Sequence, residues 1–370
     1  MSLFTDHPRA RWAAPTAALA LIGAAAFVTS ATATADSGLP PRTAAELLVD
    51  LQQAQLTGLS GTVVQTANLG LPQIPGMTGT QGSSAASTSL SSVISGTHTW
   101  RVWTAGPTQS RLALVGSAGE SDVIRNGQDL WMWSSSDKTA VHYALPEQGA
   151  RPTPEASSTD LPRTPEEAAQ RALAEVDPST EVTTSGTGSV AGRTAYDLVL
   201  KPRDNASRVA QVRIAIDGEQ HVPLRVQVYS TEVVEPAVEV GFTAVDFSMP
   251  DARQFEFTPP EGTSVTDKGA LPLHKPSSAA NPAPSTSAEP KVVGTGWTAV
   301  AVATLPDDAK ASLTQQPAAQ LLASVPQVSG AWGSGRLVDG TLFSAVLTDD
   351  GRVAVGAVAP ERLYAALSAP

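Results

Sequence analysis

Apolar and polar residues alternate with a period of two over most of this chain, and turn-forming residues interrupt the alternation. Between Thr97 and Tyr143 the runs THTWRVWT, SRLALVG, SDVIRNG, DLWMWSS and TAVHYAL are rich in β-branched, aromatic and aliphatic residues. Gly106-Pro107, Gly116-Ser117 with Gly119, Asn126-Gly127 and Ser134-Ser135-Ser136-Asp137 separate them, so they predict an antiparallel meander of short strands. Such a sheet normally wets one face. Here both faces are apolar: Trp100 alternates with Trp103, and Leu130 and Met132 alternate with Trp131 and Trp133. One face can take helices; the other needs a ligand, a lid or a partner.

A second strand array follows in GSVAGRTAYDLVLKPR, RVAQVRIAIDGEQHVPLRVQVYS and AVEVGFTAVDFSMP, with turns at Asp204-Asn205 and Asp217-Gly218. Two stretches switch to helical spacing. Thr43 and Glu46 form a capping box ahead of Leu47, Leu48, Leu51 and Ala54, and Gly58 leads from there into a strand, Leu59–Thr66. Thr164 caps the second helix, where Pro165, Glu166 and Glu167 suit the first turn and Ala168, Ala169, Ala172, Leu173 and Val176 form a narrow apolar stripe. Residues 67–95 are rich in Pro, Gly and Ser, yet Leu69, Leu71, Ile74 and Met77 give their first half an apolar character, which predicts a flap rather than plain disorder. From Asp267 to about Lys291 the composition collapses to that of a flexible linker. Beyond it, GWTAVAVATL, GSGRLVDG and TLFSAVLTDDGRVAVGAV predict one sheet with a tight hairpin at Asp349-Asp350-Gly351. PAAQLLASV and PERLYAALS predict two helices beside it.

The N-terminus changes the compartment. Arg9 and Arg11, the apolar run Ala13–Val28 and the small residues Ala33-Thr34-Ala35 read as an export signal, with cleavage expected after Ala35 and an uncleaved anchor as the competing reading. The expected divisions are therefore a signal peptide over 1–35, a main domain over 36–265, a linker over 266–291 and a small α+β domain over 292–370. The main domain is expected to be α+β, an antiparallel sheet with two helices.

Charge and composition remove function classes. A net charge of −11 argues against nucleic acid, whose phosphates need a basic face. With no cysteine there is no disulfide, thiolate or lipobox chemistry. Eighteen of the 24 basic residues are Arg, which with the abundant Ala suggests a high-GC bacterial genome. The histidines are scattered, with no H-x-x-x-H pair, no G-x-S-x-G elbow and no phosphate-binding loop. No catalytic residue, metal site or cofactor is expected.

The order of these pieces is familiar. A capped helix leads to RNGQDLWMWS, then a T-P-E-E helix, a P-L-R-V-Q-V strand, a G-F-x-x-V-x-F strand and the ending QFEFTPPEGTSV. From about Pro41 to Val265 the chain resembles the LolA/LolB lipoprotein-carrier superfamily, which includes RseB/MucB-type regulators and LppX/LprG-type lipid carriers. The composition fits an actinobacterial member. The resemblance implies a half-barrel wrapped around helices, with a cavity for acyl chains. On it, Trp100, Trp103, Leu112, Leu114, Trp131, Met132 and Trp133 are candidates to line the cavity, with one tryptophan of each alternating pair inside and the other under a helix or partly exposed, and Leu69, Leu71, Ile74 and Met77 are candidates to form its lid. The implied function is an exported, non-catalytic carrier of a lipid or lipoprotein acyl chain. The alternative is an RseB-like extracytoplasmic regulator that binds an anti-sigma factor or another membrane protein, for which the linker and second domain speak. An ABC transporter is the partner expected of a carrier. Arg101 and Arg111 are read either as headgroup or carboxylate contacts or as solvated or ion-paired residues.

Overall fold

The computed structural model describes residues 39–70, 96–116, 119–145, 163–174, 176, 178–270, 291–313 and 322–369. The expected signal peptide, the lid residues Leu71, Ile74 and Met77, and most of the linker lie outside them.

The first helix, α1 (Ala44–Gln53), begins on the expected capping box: the Thr43 hydroxyl accepts the Glu46 amide, and the Glu46 carboxylate accepts the Thr43 amide at 2.8 Å. Its Leu47 and Leu48 are buried. The strands β1 (Gly58–Ala67), β2 (Gly96–Ala105), β3 (Gln109–Gly116), β4 (Gly119–Asn126), β5 (Asp129–Ser134) and β6 (Thr139–Ala144) follow the predicted runs closely. After α2 (Pro165–Ala174) come β7 (Thr180–Val190), β8 (Arg193–Pro202), β9 (Val209–Asp217), β10 (Pro223–Ser230) and β11 (Pro236–Asp246). The chain then crosses back through a short 3-10 turn, Ala252–Phe255, to β12 (Ser264–Ala270), which enters the stretch read as linker.

These strands form a single sheet in the order β12-β6-β5-β4-β3-β2-β1-β11-β10-β9-β8-β7. The meander and the second array meet at β1, which pairs with β2 on one edge and β11 on the other. All pairings are antiparallel except β12 with β6, because a strand that returns by a long crossing can enter an edge in either sense. The sheet curls: β7, at one end of the order, lies against β11 and α1. On its concave side a continuous core joins Leu47, Val63, Trp100, Leu114, Leu198, Leu200, Ile214, Leu224 and Val240, with Ala168 and Ala169 from α2. Each leucine, isoleucine or valine among them contributes roughly 1.5–3 kcal/mol on burial, and together they fix which face turns inward.

A second, six-stranded sheet lies in the C-terminal region: β13 (Lys291–Val293), β14 (Val300–Thr304), β15 (Gln327–Gly330), β16 (Gly333–Asp339), β17 (Ser344–Thr348) and β18 (Arg352–Gly356), in the order β13-β14-β18-β17-β16-β15. The predicted hairpin joins β17 to β18, and Gly351 adopts a positive φ of 86° there. Among the described residues, α3 (Asp307–Leu313), which the sequence had not predicted, and α4 (Pro360–Ser368), the expected PERLYAALS helix, accompany this sheet, while most of the expected PAAQLLASV helix lies outside the described residues. Leu363, Ala366 and Leu367 of α4 pack with Val300, Trp332, Val346 and Ala354 into a small core of their own.

The two sheets touch through polar contacts as well as apolar ones. Arg208, nearly buried, pairs with Asp339 at 2.7 Å and donates to the Gly340 carbonyl. The Thr341 amide donates to the Leu69 carbonyl at 2.8 Å, the Ser230 hydroxyl to the Thr341 carbonyl at 2.7 Å, and the Trp297 indole to the Thr180 hydroxyl at 2.8 Å. Trp297, Leu342 and Phe343 pack against the larger core.

Candidate binding site

Strand register sorts the candidate residues. Trp100 pairs with Leu114, while Val102 pairs with Leu112, Leu112 with Val123, Val123 with Met132, and Met132 with Val141. Directly paired residues share a face, so Trp100, Leu112, Leu114 and Met132 all lie on the concave side. Trp103 pairs with Arg111, Arg111 with Ile124, Ile124 with Trp131, and Trp131 with His142, all on the convex side. Trp133 is there too, opposite Asp122. The register therefore divides the seven meander candidates between the two faces of the sheet.

On the concave side Trp100 is fully buried, its indole N–H donating to Gln65 Oε1 at 3.1 Å, and the Arg163 guanidinium sits 6.0 Å from its ring centroid. Leu114 is buried beside it, and Leu69 joins the same core instead of standing over an opening. Burial then fades along the neighbouring row, from 7% exposure at Val102 through half-buried Leu112 and Val123 to 38% at Met132. Half-buried Leu130, Val141 and Tyr143 extend this stripe on the same face. An apolar strip that opens toward solvent at one end can accept a hydrocarbon chain or an apolar peptide side chain.

The convex side is closed by the chain itself. Phe257 packs on Trp131, with ring centroids 5.3 Å apart, and on Trp133 at 5.9 Å; Trp131 also meets His142 at 4.5 Å. Phe255 is 1% exposed, and its 3-10 turn rests on β3 and β4. Residues 251–263 thus form a strap over the outer aromatics. The ending QFEFTPPEGTSV, which carries the family resemblance most specifically, is this strap together with the start of β12. His142 then ties the edge, with Nε2 2.8 Å from Asp129 and Nδ1 3.5 Å from Asp267.

Under the strap lies a polar cluster, of which the sequence had pointed to Arg111 but not to Glu120 or Asp122. Arg111 reaches Glu120 at 3.2 Å and also pairs with Asp122, and its guanidinium lies 5.5 Å from the Trp103 ring centroid. Asp122 has no exposed side-chain surface, and burial, with Glu120 beside it, pushes its carboxyl up to about 7 although Arg111 opposes the shift. Asp122 Oδ1, Arg111 Nε and Trp133 Nε1 are buried without a hydrogen-bond partner. The legible signal was an acid inside an apolar strand run, SDVIRN. Arg208 carries the same kind of signal in SRVAQV, and Gln65 does in TVVQTA. Arg111 is ion-paired, whereas Arg101 is exposed at a shallow groove lined by Ser60, Thr62, Trp103 and Asp246.

Among the described residues no group of three or more His, Cys, Asp or Glu is placed to hold a metal ion, and no helix is long and apolar enough to cross a membrane.

The MucB/RseB N-terminal domain family matches residues 90–256. No curated protein matches the chain in sequence. Among solved structures, a chain of the Pseudomonas aeruginosa MucA/MucB complex aligns at 16% identity over 88% of this chain and 96% of its own, with a TM-score of 0.41. An uncharacterized conserved protein from Thermus thermophilus aligns at 10% identity over 60% and 98%, with a TM-score of 0.32. A LolA superfamily protein from Nitrosomonas europaea aligns at 11% over 59% and 99%, with a TM-score of 0.22. At these scores the structural likeness adds no weight beyond the family match.

Proposed function

For a chain that belongs to the LolA/RseB-like superfamily through its match to the MucB/RseB N-terminal domain, we propose an exported, non-catalytic binding module of the RseB type. Its partner in this reading is the extracytoplasmic segment of a membrane protein such as an anti-sigma factor. MucB, whose name the matched family bears, forms a complex with MucA. The observation that carries the reading is the second sheet docked on the first through nearly buried Arg208, an arrangement that a single-domain carrier has no use for. The test is a pull-down between the mature chain and the extracytoplasmic region of an anti-sigma factor encoded in the same genome. A stoichiometric complex supports the reading; no complex at micromolar concentrations of both proteins sinks it.

The carrier reading keeps one observation of its own, the apolar stripe that ends at Met132. An acyl chain laid along it would gain about 0.8 kcal/mol for each methylene it buries. Native mass spectrometry of the purified mature protein, followed by uptake of a fluorescent fatty-acyl probe, tests this. Absence of both bound lipid and uptake removes it. Export by the N-terminal signal belongs to both readings, as does the absence of catalysis.

A further inference from the structure

We propose that the Arg111–Glu120–Asp122 cluster is a proton-operated latch: uptake of one proton by the cluster tightens the 251–263 strap over the outer tryptophans, and its loss loosens the strap.

The argument begins with a charge count. One guanidinium serves two carboxylates: Arg111 pairs with Glu120 at 3.2 Å and with Asp122. With both acids ionised, the cluster keeps one uncompensated negative charge. Its most buried member, Asp122, has no exposed side-chain surface on which water could neutralise that charge. Binding a proton is the cheapest way to remove it, as in any pair of carboxylates that share a confined site. The charged groups that act on Asp122 are Arg111 from β3 and Glu120 from β4. From β5 its cross-strand neighbour is Trp133, and the strap contributes buried Phe255, while Arg253 of the same turn is exposed and paired with Asp251.

The link to the strap is direct. Trp133 packs against Phe257 at a tilt of 50°, and the Phe255 turn rests on the two strands that carry the cluster. Asp122 Oδ1 and Trp133 Nε1, both buried, lack hydrogen-bond partners, so the ionised carboxylate is incompletely satisfied where it stands. Burial and Glu120 hold the Asp122 carboxyl at about 7. The sign follows: the closed strap favours the protonated acid, so closure weakens as pH rises from the ordinary aspartate range toward 7 and levels off above it.

Hydrogen exchange on the full mature chain between pH 4 and 9, corrected for intrinsic rates, reads the effect at the amides of 251–263. Relative to D122N, wild-type protection should fall by up to about tenfold per pH unit below the midpoint and then stay flat. D122N should remain protected throughout, and E120Q should move the midpoint down because Arg111 then serves a single carboxylate. H142Q separates any contribution from His142, which lies on Trp131. The latch is overturned if wild type and D122N share one pH profile, or if D122N is unprotected at every pH, which would make Asp122 a plain structural anion.

Discussion

Replacing Arg208 by Ala should uncouple the two sheets. The side chain is 9% exposed, pairs with Asp339 at 2.7 Å, donates to the Gly340 carbonyl and stands 3.8 Å from Glu232. Breaking a fully buried ion pair costs about 3–5 kcal/mol, chiefly because the abandoned charge cannot rehydrate. Here the abandoned acids can: the Asp339 and Glu232 side chains are about half exposed. The expected loss is therefore smaller, about 2 kcal/mol, made up of the charge-assisted hydrogen bonds and the buried methylenes of the arginine. The bond from Thr341 to Leu69 and that from Ser230 to Thr341 survive, so docking weakens without the C-terminal sheet unfolding. Calorimetry should show one cooperative transition in the wild type and an earlier, separate C-terminal transition in R208A. R208K, which keeps the charge but loses the planar fork, should fall between them. If R208A melts in a single transition within about 1 °C of the wild type, the junction is not organised by this residue and the reasoning is wrong.

Phe255→Ala should cost about 3–5 kcal/mol in chemical denaturation and raise the fluorescence quenching of the outer tryptophans by iodide, because the strap loses its buried anchor. Unchanged quenching would mean that residues 251–263 do not cover that face. Met132→Asp should leave the melting temperature within a degree or so, since the side chain is 38% exposed, yet abolish fatty-acyl probe uptake if the stripe is where an acyl chain lies. Retained uptake in that variant places the ligand elsewhere. Asp217 should tie stability to acid: burial alone would raise its carboxyl, but Arg193 and the Gln220 and Glu219 amides outweigh that and hold it below the usual range. Its contribution is thus full above the ordinary aspartate value and is lost as pH falls through the depressed one, and an acid titration of D217N should lack that part of the wild-type loss.

Much of the fold was open to reading along the chain. Period-two alternation with Gly, Asn and Asp at the turns located β2 to β6 nearly to the residue, because a strand with a tight turn is a local object. The Thr43–Glu46 box placed α1 for the same reason. β7 begins eight residues earlier than the predicted run, at Thr180 rather than Gly188, since TEVTTSG is polar and its pairing with β8 is what makes it a strand. The parallel edge strand β12 was hidden in linker-like composition, because only β6 gives Ser264–Ala270 a partner.

The site divides along the same line. The sequence by itself determined that the meander is apolar on both faces and that both need cover. Only the tertiary structure decided which face is which, placing Trp100 and Leu114 with the helices and Trp103, Trp131 and Trp133 outside. Alternation fixes that neighbouring residues point opposite ways but carries no sign, and the sign comes from α1 and α2 packing on one side. The cover of the outer face was present in the sequence as Phe255 and Phe257, the latter more than a hundred residues from the tryptophans it meets. Contacts at that separation leave no periodicity to read; folding alone brings them together.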